Sequence, residues 1–142
     1  MKPIDLTKRA PRSPREELGG LCMLPRMIDV ARAKLPGGDI GEYQIGRGMS
    51  GLILRHLGME VGEFVELVRT AKDEEEVAAQ LNRRKTAREN RMVSLRLRRV
   101  TVKDVPEDLR ESFTRFYGAD LPPDKRVMDI LEEDDRRAFG AK

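Results

Sequence analysis

The chain has 142 residues, a length that encloses one hydrophobic core, and it is 39% hydrophobic and 37% charged. With 4% aromatic residues and no tryptophan it lacks the material of an all-β domain, and with Cys22 as its one cysteine it cannot close an intrachain disulfide. No stretch approaches the roughly 20 apolar residues that cross a bilayer, and no apolar run of a secretory signal opens the chain, so the expectation is a soluble, cytoplasmic protein with no membrane partner.

Residues 1–20 hold three prolines and two glycines without helical periodicity, and they read as an extended arm packed on a helical domain over 21–142. Pro25 occupies a position that a first helical turn tolerates, and Leu24, Met27, Ile28, Ala31 and Leu35 recur on one face until Pro36-Gly37-Gly38 stops the helix. One short extended piece is expected over Gly41 to Ile45. A second helix follows the glycine-rich turn Gly46-Arg47-Gly48, with Met49, Leu52, Ile53, His56 and Leu57 as its apolar face. Gly58 ends it, and Val61, Phe64, Val65 and Val68 start a third that folds back as a hairpin or corner.

Asp73 and Glu76 have capping-box spacing and open a helix carrying Val77 and Leu81. From Arg91 to Val102 strand-like and helical spacings compete, and helix to about Arg98 is favoured. Pro106 opens another helix with Leu109, Phe113, Phe116 and Tyr117 inward, closed by Gly118; a last helix carries Val127, Ile130 and Leu131. The fold expected is mainly α, a compact single-domain bundle of about five to six short helices.

Charge is unevenly placed. Residues 82–103 carry nine Lys or Arg against Glu89, whereas Glu60 to Glu76 carry seven carboxylates against Arg69 and Lys72. The simplest reading has the two segments facing each other or sharing solvent; the sharper one has Arg83, Arg84, Lys85, Arg88 and Arg91, with the rest of 83–99, attracting RNA or the ribosome. No aromatic side chain lies in 82–103 to stack on exposed bases.

Gly46-Arg47-Gly48-Met49-Ser50-Gly51 matches G-x-G-x-x-G, but without a parallel βαβ unit it reads as a turn that caps a helix. A helix-turn-helix over Leu54, Gly58 and Phe64 would present Glu60, Glu63 and Glu66 to phosphates, which repels them. One histidine, His56, and one cysteine make a weak nucleophile–base supply and too few soft ligands for zinc; the acidic runs Asp73–Glu76 and Glu132–Asp135 suit solvated helix ends better than Mg²⁺. No metal, cofactor or catalytic residue is assigned.

The richest polar cluster is Arg12, Arg15, Arg26, Asp29 and Arg32, followed by Glu42 and Tyr43. Asp29 stands three residues from both Arg26 and Arg32, a spacing at which one carboxylate orients two guanidinium groups. Such arginines either clamp an anion or pin the arm to the helix by internal ion pairs.

Around this cluster Asp5-Leu6-Thr7, Pro11-Arg12-Ser13-Pro14-Arg15, Leu18-Gly19-Gly20, Leu24-Pro25-Arg26-Met27-Ile28-Asp29, Ala31-Arg32-Ala33 and Gly41-Glu42-Tyr43 resemble the bacterial family called domain of unknown function 5069. The resemblance implies a compact helical domain with no assigned activity. After Tyr43 the chain departs from the family pattern, with Gln44-Ile45-Gly46-Arg47-Gly48 where members carry a tyrosine–asparagine–cysteine–proline-like stretch.

The functional expectation is a non-enzymatic domain that binds an anionic small molecule or acidic protein segment through Arg12, Arg15, Arg26 and Arg32, with Asp29 and Glu42 orienting them and Tyr43 closing the site. RNA association through 83–99 is the alternative, and an enzyme with Asp29 or Glu42 as general base is a third. The sequence sets no oligomeric state.

Overall fold

The computed structural model describes residues 1–140. The arm ends in a two-residue hairpin, β1 (Glu17–Leu18) against β2 (Leu21–Cys22), and seven helices follow: α1 (Leu24–Ala33), α2 (Gly48–Leu57), α3 (Val61–Thr70), α4 (Glu74–Asn82), α5 (Ala87–Arg99), α6 (Glu107–Tyr117) and α7 (Val127–Phe139). The mainly helical expectation holds, with seven short α-helices among the described residues where about five to six were expected.

Gly19 and Gly20 turn the hairpin with φ of 59° and 85°, the left-handed values that a tight two-residue loop takes and that glycine adopts without penalty. The sheet is therefore at Gly19-Gly20 and not at Gly41 to Ile45, which forms no strand. There Gly41 has φ 58° and the Tyr43 amide donates to the Ile40 carbonyl at 3.1 Å, so a turn interrupts any extended run.

α1 is the central helix. Every residue from Leu24 to Ala31 is buried, including Arg26 at 7% and Asp29 at 2% exposure. Phe64 and Val68 of α3, Ile53 and Leu57 of α2, Val77 and Leu81 of α4 and Met128 of α7 share one apolar cluster with Met27, Ile28 and Ala31. A smaller cluster, Leu6, Val30 and Ala33, lies where the arm crosses α1.

The helix boundaries follow local chemistry. Asp73 caps α4 by accepting from the Glu76 amide at 2.9 Å, and Thr86 caps α5 reciprocally with Glu89. The competing patterns resolve as helix to Arg99, because Asn90, Val93, Ser94 and Leu97 all face the core at i, i+3, i+4 and i+7. Beyond α5, residues 100–103 pair with 123–127: Val102 donates to the Lys125 carbonyl at 2.9 Å and Val127 to the Val100 carbonyl at 3.0 Å. α6 is an excursion hung on this short ladder.

Two apolar faces differ from expectation. Leu52 of α2 is 47% exposed, and on α6 Leu109 and Phe116 are 45% and 57% exposed. α6 contributes no buried residue; Phe113 and Tyr117, their rings tilted at 50° with centroids 5.0 Å apart, turn inward while Leu109 and Phe116 flank them towards solvent. Periodicity marks the apolar stripe of a helix but not how much of it a neighbour covers.

Phe64→Ala should cost about 3–5 kcal/mol in urea unfolding, because the ring is fully buried. Phe116→Ala should stay within about 0.5 kcal/mol of the parent. Equal losses would contradict this placement of α6.

Candidate functional site

Arg12, Arg15 and Arg26 converge with α1 and α7, and each meets a carboxylate. Arg12 is placed by the Pro11 and Pro14 segment beside α1, where its backbone amide and Nε donate to Asp29 Oδ2 at 2.9 and 3.1 Å and its Nη2 donates to Asp29 Oδ1 at 3.0 Å. The same guanidinium donates to the Pro25 carbonyl at 3.2 Å and to both oxygens of Glu74 at the start of α4. Three of these bonds satisfy Asp29, which makes its burial tolerable. Although burial opposes the charged form of Arg12, the paired carboxylates hold its pKa well above the ordinary value.

α7 supplies the other half. Asp129, Glu132 and Asp135, spaced three apart, face the arm: Arg15 donates to Asp129 at 2.6 Å and to Glu132, Ser13 Oγ donates to Glu132 at 2.6 Å, and Arg26 forks onto Asp135 at 2.7 and 3.2 Å. Tyr43 donates to the same Asp135 at 2.9 Å, with the Arg26 guanidinium 5.5 Å from the centre of its ring. Arg98 of α5 closes the far edge through Glu17 at 2.9 Å and the Arg15 carbonyl at 3.2 Å.

Thus Arg12, Arg15, Arg26, Asp29 and Tyr43 do come together. Arg32 and Glu42 do not join them: Arg32 Nε donates to the Lys2 carbonyl at 2.7 Å, and Glu42 is exposed. The expected bridge from Asp29 to Arg26 and Arg32 is replaced by Asp29 to Arg12, because a buried carboxylate takes the partner that offers it most N–H groups, and helical spacing ignores partners from outside the helix. Glu74, Asp129, Glu132 and Asp135 are the residues sequence reasoning missed. Their signal was the three-residue spacing along α7, which alone reads equally well as a solvated face.

The space between arm and α1 is filled by these ion pairs, the pinning arrangement. An open cleft of about 350 Å³ lies nearby, lined by Lys2, Arg32 and Lys72 together with Asp73, Glu74 and Glu75, so its charge is mixed. A ligand entering the cluster itself would have to displace the carboxylates from the arginines.

The remaining motifs are structural. Gly46 packs against α3, where an added Cβ would stand 2.5 Å from Val61, and one on Gly51 would meet the Gly46 carbonyl at 2.8 Å. His56 pairs through Nε2 with the buried Asn90 at 2.9 Å, while Cys22, its thiol pushed up by burial, lies 3.8 Å from the Ser94 carbonyl; the two have separate partners. Among the described residues no three of His, Cys, Asp and Glu gather as a metal site, and no helix is long and apolar enough to cross a membrane.

The basic segment divides. Arg84 meets Glu63 at 3.3 Å, the one ion pair among the described residues between the acidic stretch 60–76 and the basic stretch 82–103; Lys85 meets Glu89 at 3.9 Å, and Arg83 approaches Gln80 at 3.4 Å. Arg88, Arg91, Arg96 and Arg99 are exposed on α5, and among the described residues they form no ion pair.

A family model described as "Domain of unknown function (DUF5069)" matches residues 8–137. The chain belongs to this family. No curated protein matches it. The DUF5069 span holds both halves of the clasp, from Arg12 to Asp135, and all of α5.

Two outcomes test the clasp. Asp29→Ala should destabilise the protein by on the order of 3 kcal/mol, since it strips a nearly buried carboxylate from Arg12, while Asp129→Ala at the exposed edge should cost about 1 kcal/mol or less; urea midpoints compare them. On the alkaline side, burial and Asp135 raise Tyr43 above the ordinary phenol value of 10.0, and burial raises Tyr117 as well. A proton held more tightly in the folded state contributes stability that is complete below pH 10.0 and is lost as pH rises beyond it. Melting temperature should fall above that pH, tyrosinate absorbance should appear together with unfolding, and Tyr43→Phe should flatten the fall.

Proposed function

We propose that this chain is a non-enzymatic docking domain whose partner-contacting element is α5, and that the partner is an acidic protein segment. The observation that carries this reading is the outer face of α5. Arg88, Met92, Leu95, Arg96 and Arg99 succeed one another at i, i+4, i+7, i+8 and i+11, with Arg91 alongside, opposite the buried face of the same helix.

Met92 and Leu95 are 56% and 52% exposed in the middle of this stripe. Arginine and methionine are enriched where proteins meet, and apolar side chains ringed by cations suit a helix with an apolar ridge flanked by Asp and Glu.

The N-terminal cluster is less suited to this role, since Arg12, Arg15 and Arg26 already carry carboxylates. A general base is less suited too, because both Asp29 oxygens accept N–H groups of Arg12. RNA remains the competing occupant of the same face, favoured by its run of unpaired arginines.

Fluorescence anisotropy with an acidic amphipathic helical peptide, its scrambled counterpart and single-stranded RNA distinguishes the occupants. The amphipathic peptide should bind, and both Met92→Ser with Leu95→Ser and Arg96→Glu with Arg99→Glu should weaken it by about tenfold or more. Binding of RNA that falls steeply with salt and ignores the Met92 and Leu95 changes would assign the face to RNA; no preference over the scrambled peptide would reject the acidic-helix reading.

A further inference from the structure

α6 leaves a seam. It is tied by the ladder of residues 100–103 with 123–127 and has no fully buried residue; Phe113 is half-buried against the core. A groove of about 210 Å³, partly open to solvent, lies between α6 and that ladder.

Val102, Val105, Phe113 and Leu121 give this opening an apolar floor, and Lys103 and Arg110 stand in its lining beside them. Arg110 is held in place: its Nε donates to the Val105 carbonyl at 3.1 Å and its Nη2 to the Lys103 carbonyl at 2.9 Å. Those partners are neutral, so its charge is uncompensated, and among the described residues neither Arg110 nor Lys103 forms an ion pair. The nearby carboxylate, Asp104, accepts from the Thr101 amide and hydroxyl, both at 2.9 Å. No carboxylate lines the opening.

An apolar floor calls for hydrocarbon, and the Arg110 guanidinium, which has no ion pair among the described residues, calls for an anion, with the Lys103 ammonium, next to Asp104 in sequence, beside it. The volume is below the several hundred Å³ of drug-sized pockets, which restricts the occupant to a few carbons. We infer that the seam under α6 is a binding site for a small apolar carboxylate, a short-chain acyl or aromatic acid, whose tail lies on Val102, Val105, Phe113 and Leu121 and whose carboxylate meets Lys103 and Arg110. The site is separate from the outer face of α5 and stands or falls independently of it. Occupancy would complete the packing of α6, the helix with least burial, so the ligand should order that helix.

Two-dimensional amide NMR on the full chain tests this with hexanoate, 1-hexanol and acetate. Hexanoate should shift the amides of Val105, Phe113 and Leu121 saturably with a dissociation constant on the order of a millimolar. Acetate should leave them unmoved, and hexanol should bind about tenfold more weakly for want of the charge. Lys103→Gln, a change at an exposed side chain that the fold does not need, should weaken hexanoate and spare hexanol. Hexanoate shifts that are absent or scattered over the surface, hexanol binding as tightly as hexanoate, or a Lys103→Gln variant that leaves their ratio unchanged would each overturn the assignment.

Discussion

The carboxylate of Asp29 is 98% shielded from solvent in the middle of the central helix, and the chain is arranged so that this charge is never alone. A buried ion without partners costs several kcal/mol, comparable to the whole stability of a small domain. Arg12 answers it with three N–H groups, and to do so the arm must lie across α1. Arg26, buried one turn earlier, needs its own counter-ion and finds it on Asp135, 109 residues away. The two ends of the chain are thereby drawn to the same helix.

That constraint governs which surfaces are free. α7 spends Asp129 and Glu132 on the arm and Asp135 on Arg26 of α1, and α4 spends Glu74 on the arm, so these carboxylates are engaged away from the basic segment. The acidic and basic stretches meet at a single ion pair, Arg84 with Glu63, and the outer arginines of α5 are left to solvent. The polar cluster most visible in the sequence is thus used up in holding the fold together, whereas the segment whose charges looked most easily satisfied is the one that faces outward. α6, beyond the reach of the clasp and tied down by a short ladder, is the region expected to open first.

Particular residues show how far local reading carries. Pro25, Asp73, Thr86 and Gly118 sit at helix boundaries because capping and φ restriction act within a turn, and these helices were foreseen to within a few residues apart from α5, whose start at Thr86 was not. Leu52, Leu109 and Phe116 were assigned to the core and lie outside it, since a stripe of apolar side chains is wider than the face a neighbour covers. The extended piece moved from Gly41–Ile45 to the hairpin at Gly19-Gly20, where two consecutive left-handed glycines turn the chain on itself.

The sequence by itself determined the helical class and most helix limits, because each follows from interactions within about four residues of chain, and its polar composition marked five of the clustered side chains. Only the tertiary structure decided who partners whom. Asp29 chose Arg12 over the arginines on its own helix, and Asp135 gathered Arg26 and Tyr43, since hydrogen-bond geometry at a buried charge is judged across space, and no spacing rule reaches across a hundred residues.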